Sequence, residues 1–127
     1  MLQRRRFIAA AGALALAGVV SFAGSGLAHH GWAWAEGENF ELTGVIKAAE
    51  LGNPHGLLTV TAKGEDWTVE VGQPWRNARA GLKDAMLAKG VELTLQGHRA
   101  QDPKVRRMKA ERVIIRGKLY NLYPDRD

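Results

Sequence analysis

The chain has 127 residues, no cysteine and a formal net charge of +5 at pH 7. This length suffices for one folded domain once an N-terminal leader is set aside. Because cysteine is lacking, disulfide bonds and thiolate metal sites are excluded. Serine occurs only at Ser21 and Ser25. The rest of the chain therefore lacks both common acyl-transfer nucleophiles, which argues against hydrolases of the triad type.

The first 28 residues have the layout of an export leader. Three arginines at positions 4–6 precede a charge-free segment rich in alanine and glycine, which runs from Phe7 to Ala28. We expect a Tat-type signal peptide over residues 1–28, cleaved after Ala28, and therefore a periplasmic protein. Cleavage after Ala23 and an uncleaved membrane anchor are the alternatives.

Loss of this leader would remove three arginines and leave fifteen basic residues against thirteen acidic ones. Such an even balance does not support a nucleic-acid-binding surface. We therefore expect no nucleic-acid partner, and no stable membrane insertion after cleavage.

Residues 29–40 show no sustained period and are predicted to form an N-terminal arm, followed by a folded domain over residues 41–127. Five short segments of that domain alternate apolar and polar residues, which predicts five β-strands. Their apolar residues are, in chain order, Leu42 and Ile46; Leu58 and Val60; Trp67, Val69 and Val71; Val91, Leu93 and Leu95; and Val113 and Ile115. Between the third and fourth strands, a four-residue apolar spacing predicts a short helix within residues 76–89. Its regular part is expected to begin near Leu82, because Gly81 disfavours helix by about 1 kcal/mol relative to alanine.

Three strands, a helix and two further strands follow one another in the order of an oligonucleotide/oligosaccharide-binding (OB) barrel. We therefore predict a mainly β fold, a small five-stranded OB-like barrel with one short helix between strands 3 and 4. An antiparallel sandwich is the alternative. Closure is favoured because an open five-stranded sheet would leave two unpaired edges.

Nitrogen donors cluster near the expected cleavage site. Cleavage there would give His29 a free amine beside its imidazole, and His30 or His55 could add a second imidazole, a nitrogen set that Cu(II) favours. His55 follows Asn53-Pro54, where the proline stiffens a predicted loop. Glu70 could supply an oxygen or a supporting hydrogen bond. The predicted metal ligands are therefore His29, His30 and His55, with copper as the expected metal. The alternative is a solvated histidine tail and a His55 that only caps a turn.

Several other side chains have weaker functional signals. His98 is expected to face solvent from its strand, and Met108 to be an exposed thioether. Trp32 and Trp34 could stack on a flat ligand or fold the arm onto the barrel. A basic loop before the last strand is expected to be solvated, and it is the best patch for an acidic partner. Its residues are Arg99, Lys104, Arg106, Arg107 and Lys109.

Several short motifs occur in order along the chain: His29-His30, Gly44-Val45-Ile46, Asn53-Pro54-His55, Trp67-Thr68-Val69-Glu70 and Gly97-His98-Arg99-Ala100. Together they resemble a family of small exported bacterial proteins catalogued as a domain of unknown function. That family usually shows a tyrosine-like aromatic residue where His98 stands, which argues against a shared ligand role for His98. The resemblance implies an exported β-rich domain and supplies no established activity.

These observations predict an exported, non-catalytic protein that binds Cu(II) through its N-terminal histidines. The alternative is a metal-free OB-like module that docks a protein or glycan partner in the cell envelope, through Trp32, Trp34 or its basic loop. An enzyme ranks below both, since the segment after the leader has no serine or cysteine nucleophile.

Overall fold

The computed structural model describes residues 32–35 and 38–126. The chain divides into two compact units, residues 1–33 and residues 34–127. The predicted leader and the histidine pair at positions 29 and 30 lie outside the described residues. Within the described ranges, no helix has the length and apolar character needed to cross a bilayer.

The described part of the second unit contains six β-strands and one short α-helix. In chain order they are β1 (Asn39–Glu50), β2 (Leu57–Ala62), β3 (Glu65–Glu70), α1 (Pro74–Arg79), β4 (Glu92–Arg99), β5 (Arg107–Ile115) and β6 (Lys118–Asn121). A 3-10 turn, Ala33–Ala35, precedes β1, and another, Asp84–Leu87, follows α1.

Five of these strands form a closed barrel. β1 pairs with β2 and β4, β2 pairs with β3, and β4 pairs with β5, all antiparallel. A short parallel ladder between residues 68–70 of β3 and 107–109 of β5 closes the ring. The helix lies between β3 and β4 in the chain. The predicted five-stranded OB-like barrel is therefore confirmed.

The interior of the barrel is filled by the apolar residues of the alternating segments. Val60, Val69, Leu95 and Val113 are fully buried, and the other predicted inward residues of the five strands are buried too, except Val91, which is half-buried. Burial of each such side chain contributes roughly 1.5–3 kcal/mol. The strand period thus determines which face of each strand points into the core.

Two elements differ from the prediction. β6 is not indicated by the sequence pattern; it pairs antiparallel with the end of β5. The expectation that the regular helix begins near Leu82 is wrong, since α1 ends before that residue. Pro74 occupies the first turn of α1, where its fixed φ suits a helix start. Gly81 adopts a left-handed φ of 88°, which ends the helix and separates it from the following 3-10 turn.

Candidate metal-ligand site

The loop between β1 and β2 places His55 beside the end of β3. The next residue, Gly56, donates a hydrogen bond from its amide to the carbonyl oxygen of Gly72 (3.1 Å) and accepts one from the amide of Val71 (2.9 Å). The Asn53–Pro54 peptide bond before His55 is cis. The two hydrogen bonds tie the loop to the chain that leaves β3, and so fix the backbone that carries the histidine.

The imidazole of His55 faces the carboxylate of Glu70, the last residue of β3. Nδ1 of His55 lies 3.5 Å from Oε2 of Glu70. Nδ1 is buried and makes no hydrogen bond to any described residue, whereas the His55 side chain as a whole is 27% exposed. The solvent-exposed part of the ring is therefore not Nδ1. A proton on Nδ1 would face the carboxylate and leave the lone pair of the neutral ring on Nε2.

Glu70 lies on the outer face of the barrel, as its position in the strand predicts, yet its side chain is only 6% exposed. Its Oε2 lies 2.9 Å from Nζ of Lys109, whose side chain is 2% exposed. Its Oε1 lies 3.4 Å from Nη2 of Arg107. Glu70 and Lys109 are direct partners in the ladder that closes the barrel. A buried ion pair therefore spans the two closing strands.

The expectation that the basic loop is solvated holds only for part of it. Lys104 and Arg106 are exposed, but Lys109 belongs to β5 and is buried, so the prediction that it faces solvent is wrong. Met108 is also fully buried, not an exposed thioether. The segment after β6 returns to β5, where the amide of Leu122 donates to the carbonyl oxygen of Glu111 (2.8 Å). This return accounts for the burial of outward-facing charges on β5.

Burial favours the neutral form of His55. Burial lowers the pKa of His55 below its ordinary value of 6.5; the nearby Glu70 carboxylate opposes this shift, while the charges of Lys109 and Arg76 add to it. The neutral imidazole is the form that coordinates metals. Burial also raises the pKa of Tyr123, whose ring centre lies 4.2 Å from the guanidinium carbon of Arg76.

Trp34 lies close to this group of charges. The guanidinium carbon of Arg107 is 4.0 Å from the centre of the Trp34 ring, and Nη2 of the same arginine is 3.4 Å from Glu70. The carbonyl oxygen of Trp34 accepts a hydrogen bond from the amide of Gln101 (3.0 Å). Arg107 therefore lies between Trp34, at the start of the second unit, and Glu70. Trp34 is half-buried and partly covered by Arg107.

Of the three predicted ligands, His55 alone falls within the described residues; His29 and His30 lie outside them. Among the residues that the structure describes, no group of three or more His, Asp and Glu side chains is arranged to hold a metal ion. The described part of the site therefore consists of one imidazole and the buried carboxylate behind it.

A second buried carboxylate, Glu111, is not indicated by the sequence. Its side chain is 2% exposed, and its Oε2 lies 2.7 Å from Nε of Arg126 and 3.4 Å from Nε2 of His98. Its Oε1 lies 3.4 Å from Nη1 of Arg112. The side chain of His98 is only 14% exposed, so the expectation that it faces solvent is wrong. The chain after β6 contributes to the burial of Glu111 through Arg126.

Comparison with known proteins gives a family and a fold. A family model described as a family of unknown function (DUF6152) matches residues 15–109. No curated protein matches the chain. A crystal structure of the ZRD-deleted mutant of TiaS in complex with agmatine is similar over 67% of this chain, with a TM-score of 0.51 and 13% sequence identity. This chain covers 26% of that one, and the likeness concerns the fold alone. A complex of TiaS with a tRNA, AMPCPP and agmatine has a TM-score of 0.47 and 15% identity, with 64% of this chain and 19% of that chain covered.

Proposed function

The chain belongs to DUF6152, a family of unknown function, so its role must be argued from its own residues. We propose that it is an exported, non-catalytic protein that binds Cu(II) through His29, together with His30, His55 or both. The observation that carries the proposal is the position of His55, whose ring is backed by a buried carboxylate on one side and partly exposed on the other.

The position of His55 beside Glu70 supports the proposal, because it resembles the surroundings of many metal-binding imidazoles. Metal-bound histidines commonly donate their second N–H to a carboxylate, which fixes the tautomer and the ring orientation. Nδ1 of His55 faces Glu70 at 3.5 Å, and Lys109 and Arg107 hold that carboxylate in turn. The lowered pKa of His55 keeps the ring free of a competing proton at neutral pH.

The described second unit begins close to the carboxylate behind His55. Trp34, Arg107, Glu70 and His55 follow one another through contacts of 4.0, 3.4 and 3.5 Å. On this proposal, the residues before Trp34 bring His29 and His30 to His55.

The chemistry of the donors favours Cu(II) over softer ions. An amine and two imidazoles are nitrogen ligands, and the chain has no cysteine to offer a thiolate. The terminal amine of His29 would exist only after cleavage following Ala28. On this proposal the site fills only after export.

A copper titration tests the proposal. Protein whose chain begins at His29 is compared with protein carrying one extra residue before it, with Cu(II) binding followed by calorimetry and electron paramagnetic resonance. We expect the extra residue to weaken binding about 10-fold or more, since it removes the terminal amine. An equal loss in His55→Gln would assign an imidazole ligand to His55, and unchanged binding would assign it to His30. His98→Gln is the matched control and should bind as the parent does. Equal weak binding by all four proteins would refute the site.

The alternative is a metal-free module that docks a protein or glycan in the cell envelope. Trp75 favours it, because this tryptophan of α1 is 52% exposed and lies near the guanidinium carbons of Arg76 (4.6 Å) and Arg79 (5.2 Å). Exposed tryptophan with arginine is typical of interface hot spots. A change in fluorescence on adding envelope extract that Trp75→Phe abolishes, with no response to copper, would favour this alternative.

A further inference from the structure

A groove lies at the far end of the β5–β6 hairpin and shares no residue with the site around His55. Its volume is about 480 Å³, within the range of single-ligand sites. It is lined by the 3-10 turn after α1, the residue before β4, and the hairpin. The lining residues are Ala85, Met86, Val91, Ile115, Arg116, Lys118 and Tyr120.

The inner wall of this groove is apolar. Ile115 and Tyr120 are 9% and 7% exposed and belong to the core, and Met86 and Val91 are half-buried apolar residues packed against it. The groove therefore lies at the edge of the barrel core, where the half-buried Met86 and Val91 are the apolar side chains that reach solvent. Contact of these side chains with hydrocarbon would remove apolar surface from water, which favours binding.

The only charges that line the groove in the described structure are positive. Arg116 belongs to the two-residue turn Arg116–Gly117, in which both residues have left-handed φ angles of 52° and 78°. Lys118 follows, and its Nζ lies 5.3 Å from the centre of the Tyr120 ring. No acidic side chain is among the lining residues. An apolar wall with two cations is complementary to a ligand that has a hydrocarbon chain and an anionic end.

We propose that this groove binds one molecule of an anionic amphiphile, a fatty acid, with its chain against Met86 and Ile115 and its carboxylate beside Lys118 and Arg116. A cationic amphiphile is disfavoured because both lining charges repel it. A neutral alcohol of the same chain length lacks the ion pair. A membrane surface fits less well, since the groove is concave and sized for one ligand. The inference does not depend on copper binding.

The test uses dodecanoate, dodecanol and dodecyltrimethylammonium, each below its aggregation threshold. Binding is followed by calorimetry and by the methyl NMR signals of Met86 and Ile115. We expect dodecanoate to bind most tightly and to shift these two signals, dodecanol to bind more weakly, and dodecyltrimethylammonium not to bind.

Two variants locate the ligand. Lys118→Glu should raise the Kd for dodecanoate about 10-fold, because a repulsive contact replaces an attractive one. Lys63→Glu, in the exposed turn between β2 and β3, is its matched control and should leave the Kd unchanged. Ala85→Trp should abolish binding by filling the groove. Ala88→Trp, at an alanine that is also exposed but lies outside the lining, should leave binding unchanged.

Three results would overturn the inference. One is binding of the cationic amphiphile as tightly as dodecanoate. Another is unchanged binding by Ala85→Trp. The third is association with anionic phospholipid vesicles without any affinity for monomeric dodecanoate, which would indicate a membrane contact in place of a ligand site.

Discussion

Replacement of Glu70 by glutamine is expected to destabilise the folded protein by about 3–5 kcal/mol, the usual cost of removing one partner of a buried ion pair. The reason is the buried amine of Lys109. Lys109 is 2% exposed and lies 2.9 Å from Glu70, so the variant would replace a carboxylate that lies against a buried ammonium group by a neutral amide. The contact of Glu70 with Arg107, whose side chain is 41% exposed, adds only about 0–1 kcal/mol.

The double variant Glu70→Gln with Lys109→Met separates this cost from simple loss of packing. Methionine keeps much of the lysine volume and carries no charge, so the double variant should be within about 1 kcal/mol of the parent. Lys109→Met alone should cost less than Glu70→Gln, because Arg107 still faces the remaining carboxylate. The two single effects should therefore not add, and the cycle should give a coupling energy above about 2 kcal/mol.

The free energy of unfolding is measured by urea titration at neutral pH, with tryptophan fluorescence as the signal and a constant denaturant slope as the check on two-state behaviour. A domain of this size has a total stability of roughly 5–15 kcal/mol, so the single variant should unfold at visibly lower urea. A cost below about 1 kcal/mol for Glu70→Gln, or additive effects in the double variant, would refute the argument that Lys109 is a buried cation dependent on Glu70.

Two further outcomes follow from the same structure. The pKa of His55 is lower in the folded protein than in the unfolded chain, so the unfolded chain binds a proton on this ring at higher pH. The free energy of unfolding should therefore fall as the pH drops below 6.5. His55→Gln should make that fall smaller, as measured by urea midpoints across this pH range. Gly97→Ala should cost more than about 4 kcal/mol, since a Cβ there would meet the backbone oxygen of Lys109. Gly52→Ala, where a Cβ meets nothing within 4 Å, should unfold as the parent does, and equal midpoints for both glycine variants would contradict the clash.

The barrel is predictable because its signal is local. Alternation of apolar residues marks each strand independently, and the buried Val60, Val69 and Leu95 all follow it. The helix is predicted too late in the chain. The prediction follows the four-residue apolar spacing and gives no weight to Pro74, which marks the true start of the helix. β6 is only four residues long, too short for alternation to show.

The charged residues of β5 could not be read correctly from the sequence. The sequence pattern places Lys109 in a solvated loop and gives no indication of Glu111, whereas both belong to β5 and are buried. Their burial comes from a distant part of the chain, the return after β6. Strand period reports which side a residue faces, and it says nothing about what later covers that side. The sequence names both His55 and Glu70 as candidates, and Nδ1 of His55 does lie 3.5 Å from Oε2 of Glu70. The burial of Glu70 against Lys109 required the fold.

The ladder between β3 and β5 is short, while β1 and β4 pair from Asn39 to Val45. The barrel is therefore held least strongly between β3 and β5, and local opening should separate these two strands before the others. The amide of Thr68, bonded to the carbonyl oxygen of Arg106 at 3.1 Å, is the proton whose exchange with solvent reports such parting. The ion pair of Glu70 and Lys109 joins the two strands of this ladder. A metal ion bound to His55 would make its ring more positive and strengthen the attraction to Glu70, so metal binding is expected to slow hydrogen exchange at Thr68.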